Sequence, residues 1–413
     1  MRHPFKFIGA SALALTLAHG GFGAMQVVQG ASAAPRGMVQ VAFAPAARSD
    51  AAFVMGACLD KDRAWGVVDA FLDKLGAVSG AQGDEIKALK AQLAEYKANP
   101  FKDLPGNNTF LKECGILEAD IRGAVVSFEE MPDFKGGSTL PGGLSLAVAT
   151  NCDLQRFLAA LERKLKEKPS DAAEFKEASV EGEKVWHLVP LNETSAKDLK
   201  DNNVDLHVAW LDNQLVIAAI SRDALARQIR LYRRGESKNE SLRGFSSTGT
   251  VVGLFMTGVG ELMRQTVPAE QLEGLNAIPN GKQIFFGLKA LALELKSASG
   301  TDIHLSVRLQ AASEVDADVL RTFAKTGVMV GRAQLGQSPE QAGGLLKVLD
   351  GVKVGGAEGV LEVTLDTTVS DLTDALAKVI EQASRPKASA APDGEGQPRR
   401  RRKANAAPAD EMK

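Results

Sequence analysis

The sequence predicts an α+β fold in which antiparallel-rich sheets are covered by amphipathic helices. Three observations predict it: strand-like runs of period two, helical stripes of period 3.6, and turn residues placed between the two. A weak internal repeat joins them, a short β-rich run followed by a polar turn and an amphipathic helix. Its first copy runs from residues 52–57 through Asp60, Lys61 and Asp62 into a helix with Ala64, Val67, Val68, Phe71, Leu72 and Leu75 on one face. The second runs from 144–148 through Asn151, Cys152 and Asp153 to the stripe Leu154, Phe157, Leu158, Leu161 and Leu165. A third has 215–220 as strand, Ser221 to Asp223 as cap, and Leu225, Ile229 and Tyr232 as stripe. The fourth is 250–256 followed by Val259, Leu262 and Met263.

The clearest local signal is a hairpin. Residues 204–211 alternate Leu206, Val208 and Trp210 with Asp205, His207 and Ala209, and Asp212-Asn213 then turns the chain into 215–220. Asn tolerates the positive φ that a two-residue hairpin turn requires. Upstream, 84–98 reads as a helix and 124–128 as a strand. Downstream, 283–288 and 290–296 read as strands, and 302–309 points Ile303, Leu305, Val307 and Leu309 to one face. Ser313 caps a helix expected through Phe323, 360–365 alternates again, and Ser370-Asp371 opens a last helix. Strand pairs followed by a helix point to an antiparallel sheet with helices on one side.

Four segments are expected along the chain. Residues 1–34 carry the three parts of a secretory signal. Arg2, His3 and Lys6 form a basic start, 7–18 is apolar, and Ala31-Ser32-Ala33 is a cleavage site. The apolar run is shorter than the roughly 20 residues a membrane span needs. Residues 48–240 and 245–384 are expected as an N-terminal and a C-terminal α+β domain. From 385 to 413 there is no Val, Leu, Ile or aromatic residue, so this basic tail cannot bury a core and is expected to be disordered. The mature protein is therefore expected outside the cytoplasm, periplasmic or extracellular, with no transmembrane span.

The formal charge of −2 hides an asymmetry, because the tail holds eight basic against four acidic residues and the leader holds two basic and no acidic ones. The body between them is acidic, which argues against a nucleic-acid partner. The tail cluster Arg399, Arg400, Arg401, Arg402 and Lys403 is a candidate contact for an anionic surface, an envelope polymer or lipid headgroups. Three cysteines, Cys58, Cys114 and Cys152, match no zinc spacing. Export permits a disulfide, and Cys58 with Cys152 is the candidate pair because each follows a strand-like run. The alternative is three buried thiols.

Catalytic motifs are absent, and no cofactor or metal is expected. His187, His207 and His304 each lie in a strand-like run. Two of them would share a face and bind a metal if their strands paired, but nothing at ligand spacing supports that over three histidines on a sheet surface. Thr257-Gly258-Val259-Gly260 lacks the third Gly of a dinucleotide fingerprint and reads as a tight strand-to-helix turn. Thr194 to Lys197 lacks the order of a Ser-x-x-Lys site and reads as a helix cap. Glu129-Glu130 reads as a solvated pair. Asn107, Asn192 and Asn239 begin glycosylation sequons that matter only in a glycosylating host.

The rhythm over residues 48 to 383, with the phrase Gly115-Ile116-Leu117-Glu118-Ala119-Asp120-Ile121 entering a strand, resembles a class of uncharacterised exported α+β proteins of Gram-negative bacteria. That resemblance implies export and implies no activity. The first functional expectation is thus a non-enzymatic binding or scaffold protein. The alternatives are an envelope hydrolase with a site assembled only in three dimensions, and a membrane-surface protein working through the tail.

Overall fold

The computed structural model describes residues 51–78, 83–98, 112–115, 121–133, 143–167, 172–234, 250–268, 273, 275–276, 278–337 and 339–384. The segment expected as an export leader and the basic tail, with Arg399 to Lys403, lie outside them. The strands are β1 (Phe53–Leu59), β2 (Ile121–Phe128), β3 (Ser145–Thr150), β4 (Ala173–Val180), β5 (Glu183–Pro190), β6 (His207–Leu211), β7 (Leu215–Ala219), β8 (Thr250–Thr257), β9 (Ala290–Lys296), β10 (Asp302–Gln310), β11 (Val352–Gly355) and β12 (Val360–Thr368). The helices are α1 (Lys61–Val78), α2 (Gly83–Ala98), α3 (Leu154–Lys166), α4 (Glu193–Asp201), α5 (Arg222–Arg234), α6 (Val259–Thr266), α7 (Gly281–Phe286), α8 (Glu314–Gly336), α9 (Pro339–Asp350) and α10 (Val369–Ser384).

All twelve strands join one sheet in the order β11-β12-β10-β9-β8-β1-β2-β3-β7-β6-β5-β4. Every neighbouring pair is antiparallel. Residues 48–240 and 245–384 contribute to this same sheet, joined where Met55 of β1 faces Met256 of β8. Its two edges are protected differently. Strand β4 carries Glu174, Lys176 and Glu177, while β11 is only four residues long.

The pleat sorts the core. On β7, Leu215, Ile217 and Ala219 pack with Leu225 and Ile229 of α5, whereas Val216 and Ala218 turn to Leu154, Leu158 and Leu161 of α3. Helices therefore cover both faces in the N-terminal half. In the C-terminal half, Leu291, Leu309 and Leu361 meet Val259 of α6 and Ala317 and Leu320 of α8. Ile303 and Leu295 meet Val67 of α1 and Val369 of α10. These described helices share one face, and the opposite face carries Ser306, Arg308 and Glu362.

Local chemistry sets the ends. Asp153 caps α3 by accepting from the Arg156 amide, and Arg163, Lys164 and Lys166 sit in its last turn, where the helix dipole favours cations. Asn192 and Ser195 form a reciprocal capping box on α4, so Asn192 is the cap and Ser195 its partner. The turn after β6 has Asp212 and Asn213 at φ 51° and 53°. Gln214 intervenes, however, so Leu211 faces Leu215 across three residues and not two. At Gly260 a Cβ would run into the Phe286 carbonyl, which explains Gly in that tight turn.

Two sequence expectations need correction, and one hairpin was not anticipated. Residues 283–288 are largely helix α7; short apolar runs do not distinguish strand from buried helix, and Asn280 at φ 55° starts the turn. Helix α8 continues beyond Phe323 to Gly336 because nothing in between breaks it. The hairpin β4–β5, turning at Glu181 and Gly182 (φ 53° and 80°), was hidden by its charged edge strand.

Candidate functional site

Strands β5 and β6 pair so that His187 stands directly opposite His207. Both project from the face covered by α5, since Val185 and Ala209, two residues along each strand, belong to that core. Asp205 precedes His207 by two residues and therefore shares its face. Its backbone N–H donates to Ile220 O at 3.1 Å, continuing the ladder just beyond β6.

This register places one carboxylate against two imidazoles. Asp205 Oδ1 lies 2.8 Å from His187 Nε2, and Oδ2 lies 2.9 Å from His207 Nε2. The rings stack with centroids 4.3 Å apart and planes 8° from parallel. The three side chains form a gradient of exposure: Asp205 56%, His187 35% and His207 6%. The acceptor oxygens require a hydrogen on each Nε2, which leaves His207 Nδ1 as a buried nitrogen with no hydrogen-bond partner.

Electrostatics follow from that geometry. Burial pushes His207 below the usual imidazole range, against the opposing pull of Asp205, and the nearby His187 and Arg222 push it further down. For Asp205, burial acts to raise the carboxyl, but the hydrogen bonds and charges of His207 and then His187 bring it below its ordinary value. The triad is thus a carboxylate held between two imidazoles, the buried one neutral.

Among the described residues, this is the one group of three His, Cys, Asp or Glu whose ligand atoms converge, all within 4.8 Å of one another. Two imidazoles and a carboxylate suit a borderline-soft divalent ion such as zinc. Ligands at about 2.1 Å from a tetrahedral centre are about 3.4 Å apart. The two Nε2–oxygen contacts would therefore open by about half an ångström each, and the parallel rings would splay. His187, partly exposed, has room to rotate; His207 is fixed in the core.

The third histidine is elsewhere. His304 faces Asp366 across β10–β12, its Nδ1 2.6 Å from Asp366 Oδ1, with Lys353 Nζ 2.8 Å from the other oxygen. Glu129 is paired with Arg227. Cys58, Cys114 and Cys152 are free and buried. The structure does not bring the candidate pair Cys58 and Cys152 together: Cys58 faces Gly123 of β2, and β2 stands between β1 and the strand that leads to Cys152.

Sequence reasoning missed Asp205. Its signal was present, an acid and a histidine two residues apart in one alternating run, but only the β5–β6 register supplies the second imidazole. No described helix is long and apolar enough to cross a membrane. Comparison with protein-family models, curated proteins and solved structures finds no match for the chain.

Proposed function

We propose that this chain is an exported, non-enzymatic binding protein that takes up a divalent transition-metal ion at His187, Asp205 and His207. The convergence of these three side chains carries the reading. The leader at 1–34 supports export, as does the resemblance to exported α+β proteins, and the succession of hairpin and helix supports reading the body as repeated units. His207 anchors the ion from the core, Asp205 neutralises part of its charge, and His187 closes over it from the solvent side. Three protein ligands leave a fourth position for water or a solute.

The same triad gives the envelope-hydrolase reading its one specific observation, a carboxylate on His207. Against it, His207 Nδ1 is buried, and no described hydroxyl or thiol is hydrogen-bonded to either imidazole. A positioned base therefore has no described side-chain nucleophile beside it.

Titration calorimetry with zinc chloride tests the binding reading. One site per chain is expected, weakened about tenfold or more in Asp205→Ala and His187→Ala. Absence of heat at micromolar zinc would sink it.

A further inference from the structure

We propose that Cys114 and Cys152 are a disulfide-forming pair, oxidised when the folded chain meets a disulfide oxidant. The inference is independent of the metal site. Residues 112–115 form a short strap docked on the start of α3. Arg156 clamps it, donating from Nε to Glu113 O at 3.0 Å and from Nη2 to Lys112 O at 2.8 Å. Arg163, seven residues on and on the same helix face, pairs with the Glu113 carboxylate. Gly115 has φ +74°, and a Cβ there would lie 3.3 Å from the Arg156 side chain.

These contacts hold Cys114 against Cys152 at the head of α3. Cys152 Sγ is 3.9 Å from Cys114 O, only two bonds from the Cys114 Cα. Cys152 is also among the charges that raise Cys114. Rotation of the Cys114 side chain with a small shift of the strap closes the gap to a bond of about 2.05 Å. The link would tie together residues 38 apart in sequence, a separation at which loop closure restricts the unfolded chain appreciably.

The chemistry balances with a small-molecule disulfide such as oxidised glutathione. The Cys152 thiolate attacks one sulfur of the oxidant and releases a first glutathione thiolate. The Cys114 thiolate then attacks the Cys152 sulfur of the mixed disulfide and releases the second. The two protons lost by the protein end on the two reduced glutathiones. Cys152 leads because it is 9% exposed whereas Cys114 is 0% exposed. Burial pushes both thiols up, to about 11 for Cys152 and about 12 for Cys114, while Arg156 pulls both down and Arg163 also lowers Cys114. Oxidation is therefore slow. Cys58 has no partner thiol and lies across β2.

The test uses the full chain, incubated with oxidised glutathione, quenched in acid, alkylated in denaturant and digested with trypsin. The expected result is one species joining peptide 113–122 to peptide 136–156, absent after reduction, with the 49–61 peptide carrying an alkylated Cys58. Free thiols fall from three per chain to one. The Cys58→Ser variant retains the link. Recovery of three alkylated cysteines, or a link that includes peptide 49–61, overturns the proposal.

Discussion

Replacing Asp205 by Ala in the metal-free protein removes the one acceptor shared by both imidazoles. The two hydrogen bonds, at 2.9 Å to His207 and 2.8 Å to His187, are unequal in worth. His207 is 6% exposed, so its Nε2–H would be left buried without a partner, at a cost of about 1–3 kcal/mol. His187 is 35% exposed and its pairing is screened by water, so its loss costs about 0.5 kcal/mol. Asp205→Ala is therefore expected to destabilise by about 2–3 kcal/mol, a sizeable part of a total of about 5–15 kcal/mol. His187→Ala is expected to cost under about 1 kcal/mol. Urea unfolding at pH 7.5 with a chelator, followed by tryptophan fluorescence, reads both; Trp186 and Trp210 lie on the same two strands. The carboxyl of Asp205 titrates below its ordinary 3.8 in the folded state. Its contribution is thus fully present above that value and is lost as the pH falls through the lowered one. A change within about 0.5 kcal/mol for Asp205→Ala, or a larger cost for His187→Ala, would refute the reasoning.

Tyr232 donates to Asp212 Oδ2 at 2.7 Å, and burial followed by that contact raises its phenol to about 12. Because the folded value lies above the ordinary 10, its contribution is present below pH 10 and is lost as the pH rises towards 12. In a Tyr96→Phe background, absorbance at alkaline pH should show the remaining tyrosine ionising near 12; a midpoint near 10 contradicts the contact. Gly56 is expected to resist substitution, since a Cβ there would clash with the Phe255 ring and lie 3.1 Å from Val125 Cγ2. Gly56→Ala should cost about 1–3 kcal/mol in urea unfolding, and Phe255→Leu in the same chain should recover part of it. Strict additivity of the two changes would show that they do not meet.

Particular elements show how far the sequence could be read. The turn at Asp212-Asn213 was legible because positive φ is a property of those residues and needs no distant partner. Helix α3 was legible through its cap at Asp153 and its leucine stripe, both local features. Helix α7 was not, because six apolar-rich residues fit a strand as well as a buried turn of helix, and packing against Ala317 and Leu320 decided it. Strand β4 was obscured because an edge strand carries charges that protect it from further pairing, and those charges conceal its period. In the candidate site, His187 and His207 were visible as strand residues, whereas Asp205 gained meaning only once β5 and β6 were in register.

The sequence by itself determined the α+β character, the principal hairpin and the helix caps at Asp153, Ser221 and Ser313, since these depend on side chains within a few residues of one another. It also determined the expectation of export, which rests on the leader. Tertiary structure alone decided that both halves share one twelve-stranded antiparallel sheet, and that Cys152 meets Cys114 while β2 separates it from Cys58. It also decided that one carboxylate lies between two imidazoles. The physical reason is common to all three. Strand order and register bring together residues separated by tens of positions, and the free energy that selects them is burial summed over both faces of the sheet, which no local pattern records.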